Sequence, residues 1–153
     1  HRRLKPPPLT VTDDIWNMTS DEKVGGVVRM KHISTDKAPQ AIGPYSQAVQ
    51  AGNLLFVSGQ IPLTPEGEMV EGGIEAQVHQ VFRNVQAILE AAGSSLDHVV
   101  KVGLFLTDMN HFATVNAIYE QYLGHVKPAR FTVQVAALPK GALIEMEAIA
   151  ELS

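Results

Sequence analysis

The stretch 74–106, IEAQVHQVFRNVQAILEAAGSSLDHVVKVGLFL, decides the fold class of this 153-residue chain. Within it Ile74, Val78, Val81, Phe82, Val85, Ile88 and Leu89 recur at three- and four-residue intervals. At about 3.6 residues per turn all of them fall on one face of a helix, which Gly93 is placed to stop. Val99 to Leu106 then reads as a strand, its apolar run broken only by Lys101. A helix feeding directly into a strand of this kind points to a layered α and β structure.

Working outward, the segment before residue 74 alternates turn signals with short apolar runs. AIGPYSQAV (41–49) and LLFVSGQI (54–61) flank Gly52-Asn53, and Pro62 with the Pro65-Glu66-Gly67 turn closes the second run, a pattern that predicts a β-hairpin. After residue 106, Phe112, Val115, Tyr119, Tyr122 and Leu123 mark a second amphipathic helix, and two further strands divide at Pro139-Lys140-Gly141. The expected order is ββαβαββ, an α+β sandwich with both helices on one face of a single mixed sheet. Val99–Leu106 lacks polar alternation, so both of its faces are expected to be buried. Two helices cover one face, and the other is expected to pack against further copies of the chain, with pockets at the subunit boundaries.

Composition narrows the chemistry. A hydrophobic fraction of 45% with 18% charged residues suits one globular domain, and no apolar run approaches the roughly 20 residues that cross a bilayer. There is no cysteine, which excludes disulfides, a thiolate nucleophile and Cys-ligated zinc, and fits a reducing, cytoplasmic setting. Residues 1–31 carry six Lys or Arg against four Asp or Glu, whereas 32–153 carry six against twelve, a net of -6. The opening HRRLKPPPLTVTDDIWNMTSDEKVGGVVRM has a proline triplet and no helical period, so 1–31 is expected to be an extension, natural or recombinant, with Met30 a candidate start and 32–153 the domain. It has neither the apolar core of a secretory signal nor the acid-poor character of a transit peptide.

No G-x-G-x-x-G follows a strand, and no phosphate-binding loop, H-E-x-x-H or G-x-S-x-G is present. His79, between Glu75 and Arg83 on the first helix, reads as solvent-exposed, and no metal or cofactor is expected. What remains are polar groups at strand ends and on one helix flank: Tyr45, Ser58 with Gly59, Asn116, Arg130 and Glu145. The bland alternatives are a packed aromatic for Tyr45, a hydroxyl bonded to backbone for Ser58 and a solvated or loop-bonded amide for Asn116. Arg130 sits in Pro128-Ala129-Arg130 at the mouth of FTVQVAALPKGALIEMEAIA, and in so acidic a chain it needs a carboxylate from the fold or from a ligand. Glu145 and Glu147 share a strand face. If Pro139-Lys140 were the apex of a tight hairpin, Glu145 would lie opposite about Gln134, roughly 13 Å along the strand from Arg130.

AIGPYSQAV, SGQIPLTPEGE, DMNHFATVN and PARFTVQVAALPKGALIEMEAIA together resemble the RidA/YjgF family of reactive-intermediate deaminases, a likeness that runs from about His32 to Glu151. The resemblance implies a chorismate-mutase-like fold, a homotrimer with clefts between subunits, and hydrolysis of 2-imino acids and their enamine tautomers to 2-keto acids and ammonia. It implies that Arg130 binds the substrate carboxylate, that Glu145 positions or deprotonates the attacking water, and that Tyr45, Ser58, Gly59, Asn116 and Thr132 line the cleft. Members often carry Ser-Cys where this chain has Phe131-Thr132, a departure that removes thiol chemistry and is expected to narrow the pocket at Phe131. Arg130 together with the IEMEAIA ending resembles the deaminase-competent type. Two rival readings are an RNA-binding protein or endoribonuclease, disfavoured by the acidic core, and a non-catalytic protein that binds a small carboxylate at Arg130.

Overall fold

The computed structural model describes residues 23–24, 27–28 and 30–152, so most of the expected extension lies outside the described residues. The strands are β1 (Lys23–Val24), β2 (Val27–Val28), β3 (Lys31–Ile33), β4 (Ala48–Ala51), β5 (Leu54–Gln60), β6 (Val99–Leu106), β7 (Ala129–Gln134) and β8 (Ile144–Glu151). Helix α1 (Ile74–Ala91) joins β5 to β6, and α2 (Phe112–Leu123) joins β6 to β7. β1 and β2 form a two-residue ladder, and the other strands make one mixed sheet in the order β3-β4-β5-β8-β6-β7.

The helices form where the periodicity places them. Val78, Val81, Phe82, Val85, Ile88 and Leu89 of α1 are buried, and Ile74 is partly so. Gly93 ends the helix in the left-handed region at φ 78°, a conformation only glycine adopts freely, while the Ser94 N–H donates to the Leu89 carbonyl at 2.9 Å. In α2 the buried set is Val115, Ile118, Tyr119 and Leu123; Phe112 is exposed instead. Both helices pack on the sheet face carrying Leu55, Val57, Val102, Leu104, Leu106, Ile144, Met146, Ala148 and Ala150, and this is the core.

Two expectations need correction. The first hairpin does turn at Gly52-Asn53, with Ala51 opposite Leu54 and Gly52 at φ 59°. However, AIGPYSQ is loop, and the strand starts only at Ala48. Pro44 has no N–H for a ladder, the Tyr45 N–H turns back to the Gly43 carbonyl at 2.8 Å, and the Ser46 carbonyl accepts from the Ser58 hydroxyl. An extra edge strand, β3, pairs with β4 through Ile33 and Ala48.

The closing β7–β8 hairpin is also absent. β8 lies between β5 and β6, antiparallel to both, and β7 lies beyond β6 and parallel to it. The central place buries Ile144, Met146, Ala148 and Ala150 under the helices, which a position beside the edge strand would not achieve.

Within one chain β6 is covered on its helix side, while on the other face Val100 and Lys101 are exposed around a register shift and Phe105 is half-buried. At Gly103 the open face is covered locally, by Phe131. A Cβ there would lie 2.5 Å from the Phe131 ring, so the missing side chain is what lets the ring lie across the strand.

Candidate active site

Register divides the candidate residues between the two faces of the sheet. Arg130 is level with Val102 of β6, which is level with buried Ala148 of β8, so Arg130 points to the helix side. Thr132, two residues on, shares that face, level with Leu104. There the Arg130 guanidinium donates to Asn116 Oδ1 at 2.8 Å and lies 4.6 Å from the Tyr119 ring centroid and 5.8 Å from that of Phe112. Among the described residues no carboxylate lies within ion-pairing distance of it, and Asn116 is its one hydrogen-bond partner. The Thr132 and Tyr119 hydroxyls are buried without a hydrogen-bond partner among the described residues. Burial pushes the Tyr119 hydroxyl above its usual pKa, and the Arg130 charge opposes that rise.

Glu145 belongs to the other face. It is level with Phe105 and one residue out of phase with buried Ile144 and Met146. Gly59, at the irregularity between Val57 and Gln60, makes room for it: a Cβ on Gly59 would stand 2.8 Å from Glu145 Oε1. Partial burial raises the Glu145 carboxyl above the ordinary glutamate range, and the neighbouring Glu147 charge adds to the shift. Tyr45 and Gly59 line one small cleft of about 40 Å³ with Ile42, Gln60 and Leu63. Tyr45 is 52% exposed, and its hydroxyl accepts from the Ile42 N–H at 3.3 Å. Ser58 donates to the Ser46 carbonyl at 2.6 Å, so its proton is committed to backbone, as the bland alternative has it.

The candidates thus fall into two groups, Arg130, Asn116 and Thr132 against Tyr45, Ser58, Gly59 and Glu145, and one chain does not bring them together. Phe131 lies on the Glu145 face, edge-on to Phe105 at 5.4 Å, so within the chain it does not narrow the space at Arg130. From the sequence Tyr119 reads as core, and the signal that sets it apart is its place one turn from Asn116 on α2.

Buried amides that carry no motif pin the loops around the cleft. Gln47 bonds to backbone at Thr35, Ala38 and Pro39, and fully buried Asn84 donates to the carbonyls of Ile61 and Leu63. His79 is half-buried instead of solvated, with Nδ1 2.6 Å from the Tyr122 hydroxyl. A groove of about 490 Å³ across the outer faces of the helices passes His79 and Gln121 and holds none of the candidates. No group of three His, Asp or Glu among the described residues is arranged to bind a metal, and no helix among them is long and apolar enough to cross a membrane.

Comparison with known proteins agrees with this architecture. A RutC family protein of Pyrococcus abyssi is 57% identical over 119 residues, covering 77% of this chain and 94% of its own. The 2-iminobutanoate/2-iminopropanoate deaminase of Mus musculus is 51% identical over 121 residues, covering 78% and 90%. The crystal structure of E. coli TdcF with bound serine superposes with a TM-score of 0.76 at 44% identity, covering 80% of this chain and 99% of that one. Residues 35–152 match the family model described as Endoribonuclease L-PSP, and the chain therefore belongs to that family, the one its RidA/YjgF motifs resemble.

Proposed function

We propose that the protein is a hydrolytic deaminase that converts reactive 2-imino acids, and the 2-aminoacrylate-type enamines that tautomerise to them, into 2-keto acids and ammonia in the cytoplasm. The observation that carries the reading is Arg130. A guanidinium with one neutral partner, Asn116 at 2.8 Å, and no carboxylate among the described residues is a cation whose counter-ion is a ligand. Relatives point the same way, since one is a deaminase of imino acids and another binds serine.

In this reading the substrate carboxylate takes the free donors of Arg130. The enamine carbon gains a proton as its nitrogen loses one, giving the imine; water held by Glu145 adds to the C=N carbon, its proton passes to the Glu145 carboxylate and from there to the nitrogen, and ammonia leaves as the adduct hydroxyl gives up its proton to form the keto group. A Glu145 held above the ordinary glutamate range suits an acid–base group. Imines of this kind hydrolyse readily, so gathering substrate and water in one geometry is the main contribution required.

Because Arg130 and Glu145 lie on opposite faces, the proposed cleft is assembled between copies. The helix-side group of one subunit meets the open-face group of the next in a closed homotrimer. Phe56 and Val133 are 43% and 41% exposed on the open face, and they supply apolar area for such contacts.

The test couples the protein to a PLP-dependent dehydratase acting on serine or threonine and follows 2-keto acid release. Acceleration by wild type is expected, with a loss of ten- to a hundredfold or more for Arg130→Ala, as fits a charged hydrogen bond of roughly 1.5 to 3 kcal/mol. No acceleration by wild type, with retained binding of a 2-keto acid, would favour the non-catalytic reading. Cleavage of RNA that Arg130→Ala leaves intact would favour the ribonuclease one.

A further inference from the structure

We infer that Tyr119 is the positioning residue of Arg130: its ring, and not a carboxylate, sets where the guanidinium presents its free donors. The kinetic part of this inference rests on the deaminase reading. Phe112, Asn116 and Tyr119 follow one another at spacings of four and three on α2, one helical face, and all three meet the guanidinium. The Tyr119 ring centroid is the nearer, at 4.6 Å from the guanidinium carbon, well inside the roughly 6 Å over which a ring face attracts a cation. Tyr119 is 8% exposed, so water screens this attraction little.

The kind of contact matters. A carboxylate would fix the guanidinium too, but it would occupy the N–H pairs that a ligand carboxylate needs. An aromatic ring attracts the cation without consuming any N–H, and Asn116 consumes one. The fork is thereby fixed while most of its donors stay available.

The ring is itself immobilised. It stands edge-on to Phe82 at 5.9 Å, Phe82 stacks on Tyr122 at 4.2 Å and 4°, and the Tyr122 hydroxyl meets His79 Nδ1 at 2.6 Å. A column of rings so runs from the outer side of the helices to Arg130. The Tyr119 hydroxyl makes no hydrogen bond among the described residues, which assigns the role to the ring.

The experiment compares Tyr119→Phe with Tyr119→Met, the latter removing the ring while roughly conserving volume. Expected are KM and kcat within about twofold of wild type for Tyr119→Phe, and a KM raised about tenfold with a smaller change in kcat for Tyr119→Met. A residue that merely supports the core would lower melting temperature and kcat and leave KM alone, and that pattern overturns the inference.

If Tyr119→Met does not fold, nuclear magnetic resonance decides on the wild type and Tyr119→Phe. The Arg130 Nε–Hε proton should be displaced upfield by ring current in both, and a free-arginine position in either overturns the proposal. If wild type accelerates no imine hydrolysis, the deaminase reading falls separately. Titration with 2-ketobutyrate then takes the place of KM, with weaker binding by Tyr119→Met alone supporting the inference and equal binding by all three proteins overturning it.

Discussion

The helix-side group around Arg130 and the open-face group around Glu145 are built in opposite ways. Arg130 is gripped by side chains of one helix, an amide and two rings, so its position is written into α2. Glu145 is given room by an absent side chain at Gly59, beside loops whose backbones Gln47 and Asn84 tie down. The difference teaches why the two charges stay usable. On one face they could neutralise each other as an internal ion pair, whereas on opposite faces of a sheet neither is paired with the other.

The strongest way to break this comparison is to separate the groups by mutation and recombine them. Glu145→Gln should cost about a hundred- to ten-thousandfold in kcat, as loss of acid–base catalysis does. Arg130→Ala should cost less. Subunits of the two variants, unfolded together and reassembled in equal amounts, should recover about a quarter of wild-type activity if every cleft takes one group from each of two chains of a ring. No recovery would place the whole reaction within single chains and end the two-group picture.

Gly59→Ala sharpens the open-face side. The new Cβ meets the far end of the flexible Glu145 side chain, which can swing away, so melting temperature should change little. Catalysis should fall about ten- to a hundredfold because the acid is misplaced. A large drop in melting temperature with kcat/KM intact would show that Gly59 serves the backbone instead.

Gly103→Ala probes packing on the same face away from the acid. Its Cβ would press on the Phe131 ring at 2.5 Å and on Glu147 Cγ at 3.0 Å, and a loss of about 1 to 3 kcal/mol in urea unfolding is expected. Adding Phe131→Ala should return most of that loss, and additive losses would mean that the ring does not sense position 103.

The smallest expected effect is on pH. If the Glu145 carboxylate is the active base, as proposed, its raised pKa should put the acid limb of kcat/KM above the ordinary glutamate range. Glu147→Gln removes the secondary cause and should move that limb part of the way down, extending activity to lower pH. An unmoved limb would assign the whole shift to burial. In stability the sign is opposite to that of a salt-bridged acid. The folded form holds its proton more tightly, so Glu145 makes the chain less stable as pH rises through this window.

Much of this was legible in the residues, and the failures share a cause. The face of α1, and that of α2 apart from Phe112, could be read because helical periodicity is local, and the Gly52-Asn53 turn because its backbone demands are local too. Residue type and position make Asn116 and Arg130 candidates, but that they bond to each other follows only from α2 lying over β7. Buried Gln47 and Asn84 broke the apolar pattern and gave no sign of the carbonyls they satisfy, since those partners are supplied by distant loops.

The sequence by itself determined the α+β class, the helix faces, the family and the set of polar residues at issue, because periodicity, turn chemistry and motif identity are properties of neighbouring residues. The tertiary structure alone decided strand order and register, and with them the face on which each charge stands. Inserting β8 between β5 and β6 buries one alternate row of β8 and turns Glu145 outward, while the parallel register of β7 on β6 turns Arg130 inward. The side-chain period of a strand is two, so a shift of one residue would reverse either outcome, and only burial summed over the whole sheet fixes that register.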